Sequence, residues 1–314
     1  MKEDIEIIDC HMDLTYGLKN NPRNFYERSE IGDFDLPRLR EGKVSAAFFA
    51  IYPATNYYYL MAGVDTWFNV VENPKNQLML IKDVDDLENA KKNKKIGAIL
   101  HIEGAGAIDT QFSILRNLHR LGLRSIGITW SDSNIYGTGV ATDINRGLTD
   151  EGKSLVKEME KLGIIVDASH LNETSFWDLV DTINKPFIAS HSNARLICNT
   201  ERNLNDEQMK ALADCKGVVG ITFCNTFLQE NNPTPENITF EQIKEHIDHM
   251  VEITGIDFIA LGSDFDGAKT PQIIKDVSHY PKLINFLLEN GYSKQDVKKI
   301  AHKNIQRIFN SVWR

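Results

Sequence analysis

Eight short β-branched or apolar runs recur along the whole chain, at residues 6–10, 45–52, 96–102, 125–129, 164–168, 187–190, 218–223 and 258–262. Stretches with helical period or helix-start signals lie between most of them. Strands buried on both faces and separated by helices imply a parallel sheet with right-handed crossovers, and eight such units close into a (β/α)8 TIM-type barrel. Thr239-x-x-Gln242, Asn205-x-x-Gln208 and Ser293-x-x-Asp296 each resemble a capping box that satisfies the free N–H groups of a first helical turn. Residues 148–163 carry a one-sided apolar stripe (Leu155, Val156, Met159, Leu162) that stops at Gly163. A barrel needs about 250 residues, and this chain has 314, with the surplus mainly at 55–95 before the third strand. One α/β domain over 1–314 is therefore expected. A doubly wound open sheet competes, but neither G-x-G-x-x-G nor G-x-x-x-x-G-K-[ST] occurs to supply its phosphate loop.

Charge narrows the partners. Forty-four acidic against 35 basic side chains leave a net charge of -9, which argues against a nucleic-acid or anionic-membrane surface, where clustered Lys and Arg provide the affinity. The basic run Lys91-Lys92-Asn93-Lys94-Lys95 falls between a polar helical stretch and an apolar strand, and reads as a solvated connection. No run of about 18 apolar residues exists, and acids occupy the N-terminal segment where a signal peptide would be basic and then apolar. A cytoplasmic protein is expected. The four cysteines (Cys10, Cys198, Cys215, Cys224) form no C-x-x-C pair and read as reduced packing thiols.

Several of the strands end in ionisable residues. Strict alternation would put Asp9, His11 and Asp13 on one side of the first strand, with Cys10 and Met12 on the other. The third strand ends His101-Ile102-Glu103-Gly104, the fifth Asp167-Ala168-Ser169-His170, the sixth Ser190-His191-Ser192, and the eighth Ser263-Asp264-Phe265-Asp266-Gly267. Singly, His170 reads as a core histidine, His191 as a turn residue, Asp264 as a helix cap and Glu103 as half of an ion pair. Together they fall at the face where such barrels carry their active sites. An H-x-D pair, two further imidazoles and a Glu suit a pair of borderline divalent ions such as zinc, with one carboxylate bridging. His246 and His249 lie on an acidic helical stretch and read as a surface face, and His119 and His302 read as solvated. No G-x-S-x-G anchors a serine hydrolase.

These residues resemble the membrane (renal) dipeptidase family of zinc peptidases. The matching segments are Ile8-Asp9-Cys10-His11-Met12-Asp13, Ile102-Glu103-Gly104, Asp167-Ala168-Ser169-His170, Ser190-His191-Ser192-Asn193-Ala194, Glu201-Arg202-Asn203-Leu204 and Leu261-Gly262-Ser263-Asp264-Phe265-Asp266-Gly267. With Asp276-Val277-Ser278 they span nearly the whole chain, and their order and spacing are more specific than any one of them. The resemblance implies a binuclear zinc site, other divalent metals being compatible. One ion would be held by His11 and Asp13 and the second by His170 and His191, with Glu103 bridging both. It further implies that Arg202 anchors the terminal carboxylate of a dipeptide, L,D as well as L,L, and that Asp264 manages the proton of a metal-bridging hydroxide.

One departure stands out. The animal members carry a Thr-His pair after the fourth strand, whose histidine stabilises the oxyanion, whereas this chain has Thr129-Trp130. An indole N–H is a single neutral donor. Either the metals alone stabilise the oxyanion, or Tyr136 or Asn134 substitutes, or the substrate differs; Trp130 and Tyr136 are thus candidate substrate contacts. The leader and lipid-anchor signals of those animal members are not found, which fits a prokaryote-like cytoplasmic relative. Two competing functions remain: an amidohydrolase acting on another small or cyclic amide, and a catalytically silent metal-binding scaffold. Relatives of the first kind usually show H-x-H on the first strand and a carboxylated lysine after the fourth; here Asp13 and Trp130 stand there. Tyr57-Tyr58-Tyr59 suit an interface between two copies, a pocket wall or core packing.

Overall fold

The computed structural model describes residues 5–231 and 233–313; residues 1–4, 232 and 314 of the expected domain lie outside it. Its strands are β1 (Ile7–Met12), β2 (Val44–Ile51), β3 (Leu78–Leu80), β4 (Ile96–Glu103), β5 (Leu123–Gly127), β6 (Ile165–Asp167), β7 (Ile188–Ala189), β8 (Val218–Ile221) and β9 (Ile259–Leu261). All pair in parallel in the order β2-β1-β9-β8-β7-β6-β5-β4, and a further β2–β4 pairing closes the ring. The expected eight-stranded barrel is thus observed, each strand lying within or beside its predicted run.

The segment 55–95 holds the helices Tyr57–Val71 and Val84–Lys92 and the additional strand β3. β3 pairs with Ile96 to Ala98 of β4, and β5 takes over the same edge from Leu100 onward. β3 falls in the apolar run Leu78-Met79-Leu80-Ile81, which is too short for periodicity to tell a strand from a helix. Tyr57, Tyr58 and Tyr59 are 58%, 76% and 45% exposed, which rules out core packing for them.

Successive strand residues point to opposite faces. One set (Ile8, Phe48, Ile99, Ile165, Ile188, Val218) fills the inside of the barrel, where Phe309 and Trp313 at the chain's end pack against it. The other set packs outward against the surrounding helices in the larger core. The three expected capping boxes form, and the helix Asp150–Leu162 stops at Gly163 in the left-handed region. No helix among the described residues is long and apolar enough to cross a membrane. The 91–95 run is exposed as expected.

Strict alternation fails on β1. Asp9 pairs with Ala47 and Met12 with Phe49, so three steps on β1 face two on β2, a β-bulge. Asp9 therefore meets the Tyr280 hydroxyl of the outer helix Tyr280–Glu289, while His11 turns toward His101 and His191. Two more expectations are corrected. His246 is fully buried, its Nδ1 accepting from the Ala194 N–H and its Nε2 3.1 Å from the Leu228 carbonyl. His302 is buried too, in a π-helical turn beside Glu6. In both cases one side of an outwardly charged helix faces the core, and charge counted along the sequence does not reveal which residue takes that side.

Candidate active site

The C-terminal ends of β1, β4, β6, β7 and β9 bring the five expected metal-ligand residues and Asp264 together. The Glu103 Oε1 lies 2.9 Å from His170 Nε2, 3.5 Å from His191 Nε2 and 3.6 Å from His11 Nε2. The His11 Nε2 is 3.4 Å from Asp13 Oδ2. Two overlapping sets, His11–Glu103–His191 and His11–Asp13–Asp264, each have ligand atoms within 4.8 Å of one another.

Local backbone structure explains the convergence. Beyond the bulge, the Asp264 N–H donates to the His11 carbonyl at 3.1 Å and the Asp13 N–H to the Phe265 carbonyl at 3.0 Å, which sets H-x-D against S-D-F. His170 and Asp264 adopt φ of 71° and 68°, left-handed conformations that non-glycine residues hold only where the surroundings impose them. Gly267 is required by close approach, because a Cβ there would run into the Asp13 and Asp264 carboxylates.

The electrostatics of the site are opposed in its two parts. Burial disfavours the His11 imidazolium, but Glu103, Asp13 and Asp264 outweigh it and push His11 up to about 10. Burial drives His170 and His191 well below the ordinary histidine value, with the Arg202 and His11 charges adding to the effect. Burial also raises Glu103 well above the carboxylate range, against the pull of His11. Asp264 is pushed up to about 8 by burial and the Asp13 carboxylate.

The donor set fits a cation. Neither nitrogen of the fully buried His11 has a hydrogen-bond partner, and His170 Nε2 faces His191 Nε2 at only 2.9 Å beside a carboxylate. Buried polar atoms left this way cost about 1–3 kcal/mol each, and more where charged. Imidazoles and carboxylates are ligands of zinc and its neighbours.

A cavity of about 450 Å³ opens onto these residues. Arg202 lines it, buried, with one Nη donating to the His191 carbonyl at 3.1 Å, its guanidinium 5.0 Å from the Phe227 ring and its Nε without a partner. Trp130 lines it as well, its ring 5.8 Å from His170 and 5.2 Å from Tyr52. Tyr136 is not brought to this cavity: it is fully buried and its hydroxyl donates to the Ile108 carbonyl. Asn134 spends its amide bracing the same loop, on the Ile128 carbonyl and the Tyr136 and Gly137 N–H groups. Sequence reasoning missed Tyr16, Tyr52, Cys224 and Asn225 on the cavity wall. Tyr52 ends the expected second strand, so the rule that singled out the other strand ends would have found it.

Comparison with known proteins identifies the family. Residues 1–313 match the model of the membrane dipeptidase family, peptidase family M19. An uncharacterised dipeptidase of Schizosaccharomyces pombe is 31% identical over 335 residues, covering 97% of this chain and 80% of the relative. A crystal structure of a dipeptidase, a metallo peptidase of family M19, superposes with a TM-score of 0.92 at 30% identity, covering 99% of each chain. A metallo peptidase from Rhodobacter sphaeroides, liganded with a phosphinate mimic of the dipeptide L-Ala-D-Ala, superposes equally well (0.92) at 29% identity, over 99% of this chain and 100% of that one. The chain belongs to the membrane dipeptidase family, as a metallo-dipeptidase.

Proposed function

We propose that this protein is a zinc-dependent dipeptidase that cleaves L,L dipeptides and also accepts a D residue in the second position. The observation that carries this reading is the convergence of three imidazoles on one Glu103 oxygen, at the floor of a cavity lined by Glu103, His170, Arg202 and Asp264. The relative bound to an L-Ala-D-Ala mimic supports the stereochemical part.

In this reading His11 and Asp13 hold one zinc ion, His170 and His191 a second, and Glu103 serves both. The chemistry that such ions supply when bound is Lewis acidity, which lowers the pKa of water toward neutrality and polarises a carbonyl. Arg202 receives the substrate's terminal carboxylate, a role that suits a planar guanidinium with donors to spare. An anchor one residue beyond the cleaved bond selects dipeptides, since a longer peptide would present a neutral amide there. Bound cations would favour the charged form of Asp264 against the burial that raises it, and its carboxylate then accepts the proton of the attacking water and returns it to the leaving amine. Trp130 and Tyr52 form the wall beside His170. Burial, with Glu103 adding to it, pushes the Tyr52 phenol up to about 12, so it stays a donor across the neutral range.

A substrate panel with and without chelator tests the assignment. Hydrolysis of L,L and L,D dipeptides that is lost on chelation is expected. Turnover of a cyclic amide in their place would reassign the substrate, and bound metal with no turnover would make the protein a scaffold.

A further inference from the structure

A buried relay runs beneath the second pair of imidazoles, and it fixes more than position. Asp167, Ser190 and His191 are all at most 1% exposed. The Asp167 Oδ1 accepts from the backbone N–H groups of Ser169 (3.0 Å) and Ser190 (2.9 Å), which sets the carboxylate plane. Its Oδ2 lies 2.5 Å from Ser190 Oγ. A carboxylate only accepts, so the single hydroxyl proton of Ser190 is committed to Asp167. Ser190 Oγ also lies 2.8 Å from His191 Nδ1 and, its proton spent, can there only accept. His191 must then carry its proton on Nδ1 and present a bare Nε2 toward Glu103.

No other imidazole of the site is constrained this way. The Ser131 hydroxyl, 2.8 Å from His170 Nδ1, is free to donate or accept, and the His11 nitrogens have no hydrogen-bond partner. His101 Nε2 stands 3.7 Å from Asp167 Oδ2, too far to take the place of Ser190.

We propose that Asp167 and Ser190 are positioning residues that lock His191 in its Nδ1–H tautomer, and so preform the nitrogen ligand of the metal position it shares with His170 and Glu103. The proposal rests on the metal-site reading above. Groups that hold the far nitrogen of a ligand histidine typically change metal affinity about 10–100-fold.

Two-bond 1H–15N correlation spectra of the metal-free protein read the tautomer directly. Wild type is expected to show His191 protonated on Nδ1, Ser190→Ala a mixture, and the shape-preserving Asp167→Asn, whose amide would donate to Ser190 and release its proton toward His191, a shift to the Nε2–H form. Zinc competition against a chromophoric chelator is expected to show about 10–100-fold weaker binding at one of two positions in each variant. Protonation of wild-type His191 on Nε2 would overturn the proposal, as would wild-type zinc affinity in both variants. The wild-type spectrum decides even if a variant fails to fold. Failure of the dipeptidase reading would appear in the substrate panel and leave both of these readouts intact.

Discussion

The site has two halves that hang from the same device and differ in how their side chains are satisfied. In the half built from β1 and β9, Asp9 Oδ1 accepts from the His11 and Ser263 N–H groups (2.9 and 3.1 Å), and Oδ2 takes the Tyr280 hydroxyl at 2.5 Å. In the half built from β6 and β7, Asp167 ties Ser169 to Ser190 in the same manner. Each buried carboxylate staples two neighbouring strand ends just before a histidine. Beyond the staple they diverge. The first half gathers Asp13 and Asp264 around an imidazole with no hydrogen-bond partner, whereas the second gives both of its imidazoles a serine hydroxyl. The protein thus supplies a partner for the far nitrogen of each imidazole in the second half and none for His11 in the first.

Glu103 belongs to both halves, so Glu103→Gln breaks both. Its kcat/KM is expected to fall by more than about 10³-fold, with less metal retained by elemental analysis. Asp264→Asn strikes the first half alone, and turnover is expected to drop about 10²–10⁴-fold, the range of a lost general acid–base, while metal content stays at the wild-type level. Near-normal turnover with full metal would remove Asp264 from the proton path. Arg202→Met probes the cavity side of the second half. Loss of a charged hydrogen bond of about 1.5–3 kcal/mol should lower kcat/KM about 10–150-fold, chiefly through KM, and should abolish discrimination against dipeptide amides.

The smallest expected effect concerns the brace behind the second half, where His246 accepts from the Ala194 N–H. Burial holds His246 down to about 4, with the Leu228 carbonyl opposing and His249 adding to it. Its unfolded value is about 6.5. The unfolded chain therefore takes up a proton between pH 6.5 and 4 that the folded chain refuses, and stability falls as pH falls through that window. Denaturant midpoints at pH 7 and pH 5 are expected to show about 2 kcal/mol less of this loss in His246→Gln than in wild type.

The difference between the halves also explains what the sequence could and could not reveal. Strand ends carry the candidate site residues because parallel strands deliver their last residues to one rim, so Glu103, His170, His191 and Asp264 could be picked out from position alone. The bulge after Asp9 left no mark in the residue pattern, and alternation wrongly grouped Asp9 with His11 and Asp13. Loop residues obey no period: Tyr136 looked like a cavity donor, but its hydroxyl is held by Ile108. Cys224 and Asn225 reach the cavity wall at the start of the short helix Asn225–Leu228, whose placement only the packed structure defines.

The central claim is that the two halves form one metal centre that hydrolyses dipeptides. Titration of the metal-stripped protein with zinc, followed at once by bound metal and by hydrolysis of an L,L dipeptide, tests it most directly. Two equivalents bound per chain, with no turnover before zinc and full turnover once both are in place, is the predicted result. Full-rate hydrolysis by protein carrying no metal would contradict it.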